Sequence, residues 1–511
     1  MSDEEESAQG ATKTPRGMGR FLRFSLIYGF GDLLAKGARI ILLPFYVSVL
    51  SQAEIGELAV LQAISFCCWT LLGFGFSFAV QKFYVEYEAE GDTLASSLWL
   101  TRLIGGLPFY GLMMLLGWGF YHVSGQSIPL YLILVAITAG YLRGGINIVE
   151  FWLNIREEPL AYRAFTLGQF LVTTILIIYF VAWRGWGVAG VVLGELTSYS
   201  LFVIFSAIVL FKRAMPRLNI VKWREIFQFC LPVLPHAFFM GCLISVDRLI
   251  LHQLDVPRSE IGIYSIGFML AAFLSIVVQS MRAAWLPAYF RNAKSADSHQ
   301  QFGKMASIYF VATFFTALFG IFFAPEIVSI VSMFGGASTA SYTQSARVMQ
   351  FILLGFVSMA VFLAVNQPLF YQRKTGILSM ISGTGLLVSV GVNFAIIPML
   401  GIWGAVVANI SAYSVMAITT LLVTSRIYDI QWETREMLQS TAVFLTFCAI
   451  AWLLPAETIV WLIPLKAIAL LIFVALILFR VKISSGSLIT LQSRFGWSKF
   501  WSNRSLFRTT T

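Results

Sequence analysis

Long apolar runs recur along this chain, separated by short polar turns, and that pattern leaves few folds open. A helix needs about 20 apolar residues to cross the hydrocarbon core of a bilayer. Fourteen stretches between Phe21 and Phe479 meet that length. They include Phe21 to Leu50, Ile55 to Tyr84, Leu98 to Tyr121, Ile261 to Phe290, Tyr342 to Tyr371, Met437 to Leu454 and Ile459 to Phe479. Of the 511 residues, 58% are hydrophobic and only 12% charged, and the mean hydropathy is +0.80. A soluble domain carries about 25% charged residues. The expected fold is therefore all-α: a polytopic membrane protein of about fourteen transmembrane helices.

Loop charges give that fold an orientation. Basic residues collect in cytoplasmic loops. With the N-terminus inside, about 26 of the 35 Lys and Arg fall on the cytoplasmic side and about three (Arg184, Arg258, Arg347) outside. An even helix count then leaves both termini cytoplasmic. The same rule accounts for the net charge of +10, so no nucleic-acid partner is expected. The polar start, MSDEEESAQGATKTPRGMGR, lacks an apolar core and reads as a disordered tail rather than a signal peptide. All five cysteines fall in apolar spans and suggest no disulfide framework.

Two echoes divide the chain. FLRFSLIYGFGD…SQAEIGELAVL at the first helix resembles IFQFCLPVLPHA…VPRSEIGIYSIG at the seventh, and both carry an E-I-G triplet, Glu54–Gly56 and Glu260–Gly262. GVAGVVLGELTSYS from Gly187 aligns without gaps to GIWGAVVANISAYS from Gly401. The expected organisation is a disordered cytoplasmic tail (1–20), a six-helix lobe (21–215), a second six-helix lobe (216–430), two extra helices (431–480) and a basic cytoplasmic tail (481–511). Each lobe holds an even number of helices, so the pseudo-symmetry axis runs along the membrane normal. Transporters built this way hold substrate between the halves and rock them.

The chain has no phosphate loop, no HExxH, no GxSxG and no zinc-ligand spacing, so neither ATP hydrolysis nor metal catalysis is expected, and no catalytic or metal-binding residue is assigned. The informative residues are ions inside the spans, which cost roughly 2.5 kcal/mol or more each and so face a bundle interior or a wet cavity. Lys36, Arg39, Arg143, Arg248 and Arg282 are the candidates for a cationic, substrate-binding cavity. Arg39, Arg143 and Arg282 are the deepest of these, whereas Asp247, Arg248 and Glu150 lie toward helix ends, where local pairing or snorkelling can satisfy them. A guanidinium grips a phosphate bidentately and stays charged at physiological pH. Asp32, Glu195 and Asp247 are candidates for ion coupling. Glu195 stands out because Asn409 replaces it in the second copy of the repeat. Pro44, Pro232 and Pro235 are candidate hinges. His236, beside two prolines, reads as a structural hydrogen-bonding residue.

On these features the chain resembles the multidrug/oligosaccharidyl-lipid/polysaccharide (MOP) exporter superfamily, and most closely its Wzx-type polysaccharide flippases. The resemblance is carried by FGDLLAKGARIILLPFYVSVLSQAEIGELAVL, its copy at the seventh helix, the Gly-x-x-Gly-to-Ser-Tyr pattern and the helix number, and it covers roughly Phe21 to Phe479. It implies a non-enzymatic secondary transporter of the bacterial inner membrane. Such a protein moves undecaprenyl-diphosphate-linked oligosaccharide between leaflets by alternating access, with no cofactor and with coupling to an H+ or Na+ gradient. It further implies a polysaccharide polymerase and glycosyltransferases as partners. A lipid II flippase, a multidrug exporter and a non-transporting glycan-assembly scaffold are the alternatives. The two extra helices and the basic excess argue against the drug exporter.

Overall fold

A computed structural model of the protein describes residues 42–480 apart from 74, 88–89, 157, 218–219, 293–297, 334–341, 372–373, 428–433 and 455–460. The described residues form helices and no strand. Asp32, Lys36 and Arg39 lie outside them.

The first group of helices is α1 (residues 42–49), α2 (Gln52–Leu72), α3 (Phe76–Glu86), α4 (Gly91–Gly105), α5 (Leu107–Val123), α6 (Leu130–Ile155), α7 (Pro159–Ile178) and α8 (Gly187–Arg213). The second is α9 (Ile220–Gln253), α10 (Arg258–Ala271), α11 (Phe273–Asn292), α12 (Ser298–Met333), α13 (Thr343–Val365), α14 (Gln367–Tyr371), α15 (Thr375–Leu400) and α16 (Ile402–Ile427). Each group packs mostly on itself, and the two lobes meet where α2 lies against α9 and α10. The last helices, α17 (Thr434–Leu453) and α18 (Leu462–Arg480), pack on α12. A buried ion pair fastens α18 there: Lys466 donates to Glu326 across 2.6 Å.

Among the described residues, eleven helices are long and apolar enough to cross a membrane, or twelve if α4 and α5 count as one bent span. That is fewer than the fourteen expected. The first span begins outside the described residues, and the apolar part of α18, Leu462–Ile477, is shorter than a full crossing. Several expected single helices are also broken. The span Ile55 to Tyr84 divides around Gly73 and Gly75, and Gly75 has a positive φ of 70° that only glycine adopts freely. The span Leu98 to Tyr121 bends by 41° at Gly105–Gly106, where Pro108 opens α5. Ile261 to Phe290 breaks at Ala272, and Tyr342 to Tyr371 breaks at Asn366, just before Pro368.

The E-I-G echo marks the place where the lobes cross. Glu54 is the third residue of α2 and completes a capping box with Ser51, and Glu260 is the third residue of α10. Acidic groups in a first turn also face the positive end of the helix dipole. Ile55 and Ile261 are buried. Gly56 and Gly262 let the two helix starts approach backbone to backbone. A Cβ on Gly56 would lie 1.9 Å from the Arg258 carbonyl oxygen, and one on Gly262 would lie 2.1 Å from that of Gln52. The second echo fits onto the first. Gly187 and Gly401, both at positive φ (50° and 57°), lead into α8 and α16, and each sits against the glutamate of its own lobe's triplet, Glu54 and Glu260 respectively.

Candidate functional site

A cavity of about 510 Å³ lies between the lobes, starting one turn in from the glycine crossing. Helix α2 contributes Ala59, Gln62, Ala63, Phe66 and Trp69, a spacing of three and four that keeps them on one face. Ser265, Phe268, Met269, Ala272, Ser275, Ile276 and Gln279 keep the same spacing along α10 and α11, so the lining face carries through the break at Ala272. Ile244, Ser245 and Arg248 come from α9, Glu195 and Tyr199 from α8, and Arg143 from α6.

Each cavity arginine is laid against aromatic rings and backed by a carboxylate. The Arg143 guanidinium carbon sits 5.9 Å from the Trp69 ring centroid and 5.8 Å from that of Tyr199. Arg143 pairs with Glu150 at 3.1 Å and donates to Gln169 at 2.7 Å, while Asn147 also donates to Glu150. Arg248 lies over Phe268 at 4.1 Å and near Tyr264 at 5.6 Å. Its Nη1 donates to the Ile244 carbonyl at 2.6 Å and to Asp247 at 3.3 Å. Asp247 is held besides by the Tyr264 hydroxyl and by the Arg248 backbone N–H. Stacked guanidinium groups keep their N–H edges available to a planar oxyanion. In the same cavity, Glu195 accepts from the Gln62 amide at 3.3 Å.

The cavity thus brings together Arg143, Arg248 and Glu195 from the expected set. Asp247 is buried behind Arg248 and does not line it. Arg282, on α11, is not among the lining residues and lies near Tyr309 and His236. Pro232 and Pro235 sit inside the continuous helix α9, with Ser379 donating to the Pro232 carbonyl; Pro44 sits within α1. His236 makes a hydrogen-bonded contact with Ser382 at 3.1 Å. Gln62, Trp69, Tyr199 and Phe268 line the cavity without having been singled out in the sequence. The available signal was the polar Gln62 in mid-span, one helical repeat of seven residues before Trp69 on the same face.

Outside the membrane spans, ions knit the loop ends. Arg156, just past α6, bonds Asp92 at 2.5 Å and Glu158 at 2.8–2.9 Å. Burial disfavours the Arg156 cation, but its bonds to Asp92 and then Glu158 outweigh that and raise it above its ordinary value. Tyr87 donates to Glu225 on α9, and this bond pushes its hydroxyl up to about 12.

Residues 21–293 match the family described as polysaccharide biosynthesis protein, more than half of the chain. The chain belongs to that family. It is a Wzx-like family of the MOP superfamily. No curated protein sequence matches the chain. Among solved structures, an inward-facing multidrug resistance MATE transporter of the MOP superfamily aligns at TM-score 0.59 and 14% identity, over 80% of this chain and 99% of that one. An outward-facing form aligns at 0.58 and 15%, over 82% and 100%. The Vibrio cholerae MATE transporter VcmN in its bent form aligns at 0.55 and 12%, over 80% and 97%. At these identities the likeness is one of fold. Family and fold together make the chain a multi-pass membrane protein of a polysaccharide biosynthesis family, folded like the MATE transporters.

Proposed function

We propose that this Wzx-like protein is a flippase that moves an undecaprenyl-diphosphate-linked oligosaccharide across the bacterial inner membrane by alternating access. The observation that carries this reading is a single cavity with one arginine from each lobe, Arg143 and Arg248. A diphosphate needs fixed cations, and the sugar hydroxyls need hydroxyl, amide and aromatic partners. Gln62, Ser245, Ser265, Trp69 and Phe268 supply those. The carboxylates behind the arginines do not block the exchange. If Arg248 turns to an oxyanion, Asp247 keeps Tyr264 and a backbone amide; if Arg143 turns, Glu150 keeps Asn147.

Charge-assisted contacts are worth roughly 1.5–3 kcal/mol, so losing one should weaken binding by ~10- to 100-fold. Arg143→Ala and Arg248→Ala should each lower glycan export in a flippase-deficient strain while protein level and membrane insertion stay normal. Lysine at either site should restore only part of it, because a bidentate contact is lost. Normal export with alanine at both positions would overturn the reading. Drug resistance with no glycan phenotype would point instead to Glu195 and a cationic cargo.

A further inference from the structure

Around the Gly56–Gly262 crossing, polar side chains of the second lobe reach across to the first. Arg258, at the first turn of α10, pairs through Nη1 with Glu57 of α2 at 2.8 Å. Its Nη2 donates to the Ser127 carbonyl in the turn before α6. From the end of α9, His252 makes a hydrogen-bonded contact with the Ser127 hydroxyl at 3.1 Å, and its ring lies near Phe120. Glu57 is 14% and Arg258 32% exposed, so the pair is part-shielded from water, which screens it less than a surface pair. One guanidinium therefore ties two separate parts of the first lobe to the second.

These contacts sit at one end of the cavity. The loop charges place that end outside: Arg258 is one of about three basic residues on the sparse side. While Arg258 holds Glu57 and Ser127 it resists separation of the backbone crossing beside it, and the cavity lies directly inward of that crossing. We infer that Arg258 is the latch of the outer gate, holding the outer ends of the lobes together while the cavity is loaded and releasing Glu57 before the cavity can open outward. The inference takes its meaning from the transport reading above, but its geometry does not depend on the cargo.

A reporter of outward opening tests it. In full-length protein with its five native cysteines replaced, Ser65→Cys places one thiol in the cavity lining. A membrane-impermeant maleimide is then added to intact cells. Glu57→Gln and Arg258→Gln should each raise labelling, by about tenfold if the pair is worth one charge-assisted bond. The exchanged pair Glu57→Arg with Arg258→Glu should bring labelling back down. Glu57→Gln keeps the shape of the side chain and leaves the Ser127 contact in place, so it decides the matter if the Arg258 variant is lost from the membrane. Unchanged labelling with Glu57→Gln, at normal protein level, overturns the latch. Raised labelling in a protein that flips no lipid-linked sugar would preserve the latch and reject the proposed cargo.

Discussion

Arg102 is the residue whose position departs furthest from its place in the sequence. Counted by sequence among the inner-loop charges, it is fully buried in α4, 4.7 Å from the centroid of the Tyr141 ring. None of its three guanidinium nitrogens has a hydrogen-bond partner among the described residues. It accounts for the glycine at 144, where a Cβ would come within 2.2 Å of its Nη2. A buried cation without a carboxylate is a cost to the fold, and an apolar side chain of similar length should relieve it. Arg102→Met should therefore leave the protein equally or more thermostable, by up to about 1–3 kcal/mol, in detergent melts of the purified chain. Gly144→Ala should destabilise the native chain but not the Arg102→Met background, because the two positions share one space. A clear fall in melting temperature for Arg102→Met would show that the charge stabilises the folded protein. Sequence depth is a partial guide to such ions. It identified Arg143 as a group that must face protein or cavity. It undervalued Arg248, because the lobes converge near the outer helix ends and the cavity begins only a turn inside. Depth alone does not place Arg282, because it does not say which way a helix is turned.

At the scale of elements, the repeats were legible and the breaks were not. The E-I-G triplets and the Gly-x-x-Gly helices stand out because close backbone approach tolerates nothing but glycine, so the same constraint wrote the same letters twice. Gly190 and Gly404 show it again: a Cβ would lie 3.0 Å from the Phe180 carbonyl carbon in one and 2.6 Å from the Ile397 nitrogen in the other. The helix breaks follow weaker signals. Gly-Gly-Leu-Pro from Gly105 and the glycines at 73 and 75 could have been read as interruptions, whereas nothing in the letters marks Ala272. Two of the candidate hinge prolines, Pro232 and Pro235, do not break the helix, and α9 runs continuously through them. Apolar periodicity does not help here, since lipid and protein core both accept apolar side chains. The crossing itself can be tested. Gly56→Val would force a branched side chain against the Arg258 carbonyl, so the outer ends should no longer meet. The Ser65→Cys reporter should then label strongly from outside even with Arg258 and Glu57 intact. Labelling as low as in the parent would mean that α2 and α10 can shift apart without opening the cavity.

For the whole molecule, two lobes related by repeated sequence differ at a chemically telling place. Glu195 lines the cavity in the first, while its counterpart Asn409 is buried against Gly355 in the second. Only the first can gain or lose a charge. A carboxylate that shares a cavity with two arginines sets how much net positive charge the cavity offers an anion. Taking up a proton or a sodium ion at Glu195 would remove its negative field and strengthen the hold on an anionic cargo; losing that ion would weaken it. Ion and cargo would then travel in the same direction, so a gradient should speed flipping toward the side of lower ion concentration and slow it toward the other. Two measurements follow. Thiol labelling at Gln126 and Arg373 should place them on opposite sides of the membrane, outside and inside, as the loop charges require; labelling both from one side would overturn that topology. In proteoliposomes, flipping of lipid-linked sugar should then respond to an imposed proton or sodium gradient, and Glu195→Gln should blunt that response while leaving some gradient-independent flipping. Equal rates with and without a gradient would make the protein a passive scramblase. A full gradient response in Glu195→Gln would move the coupling group elsewhere, with Asp32 the next acid to replace.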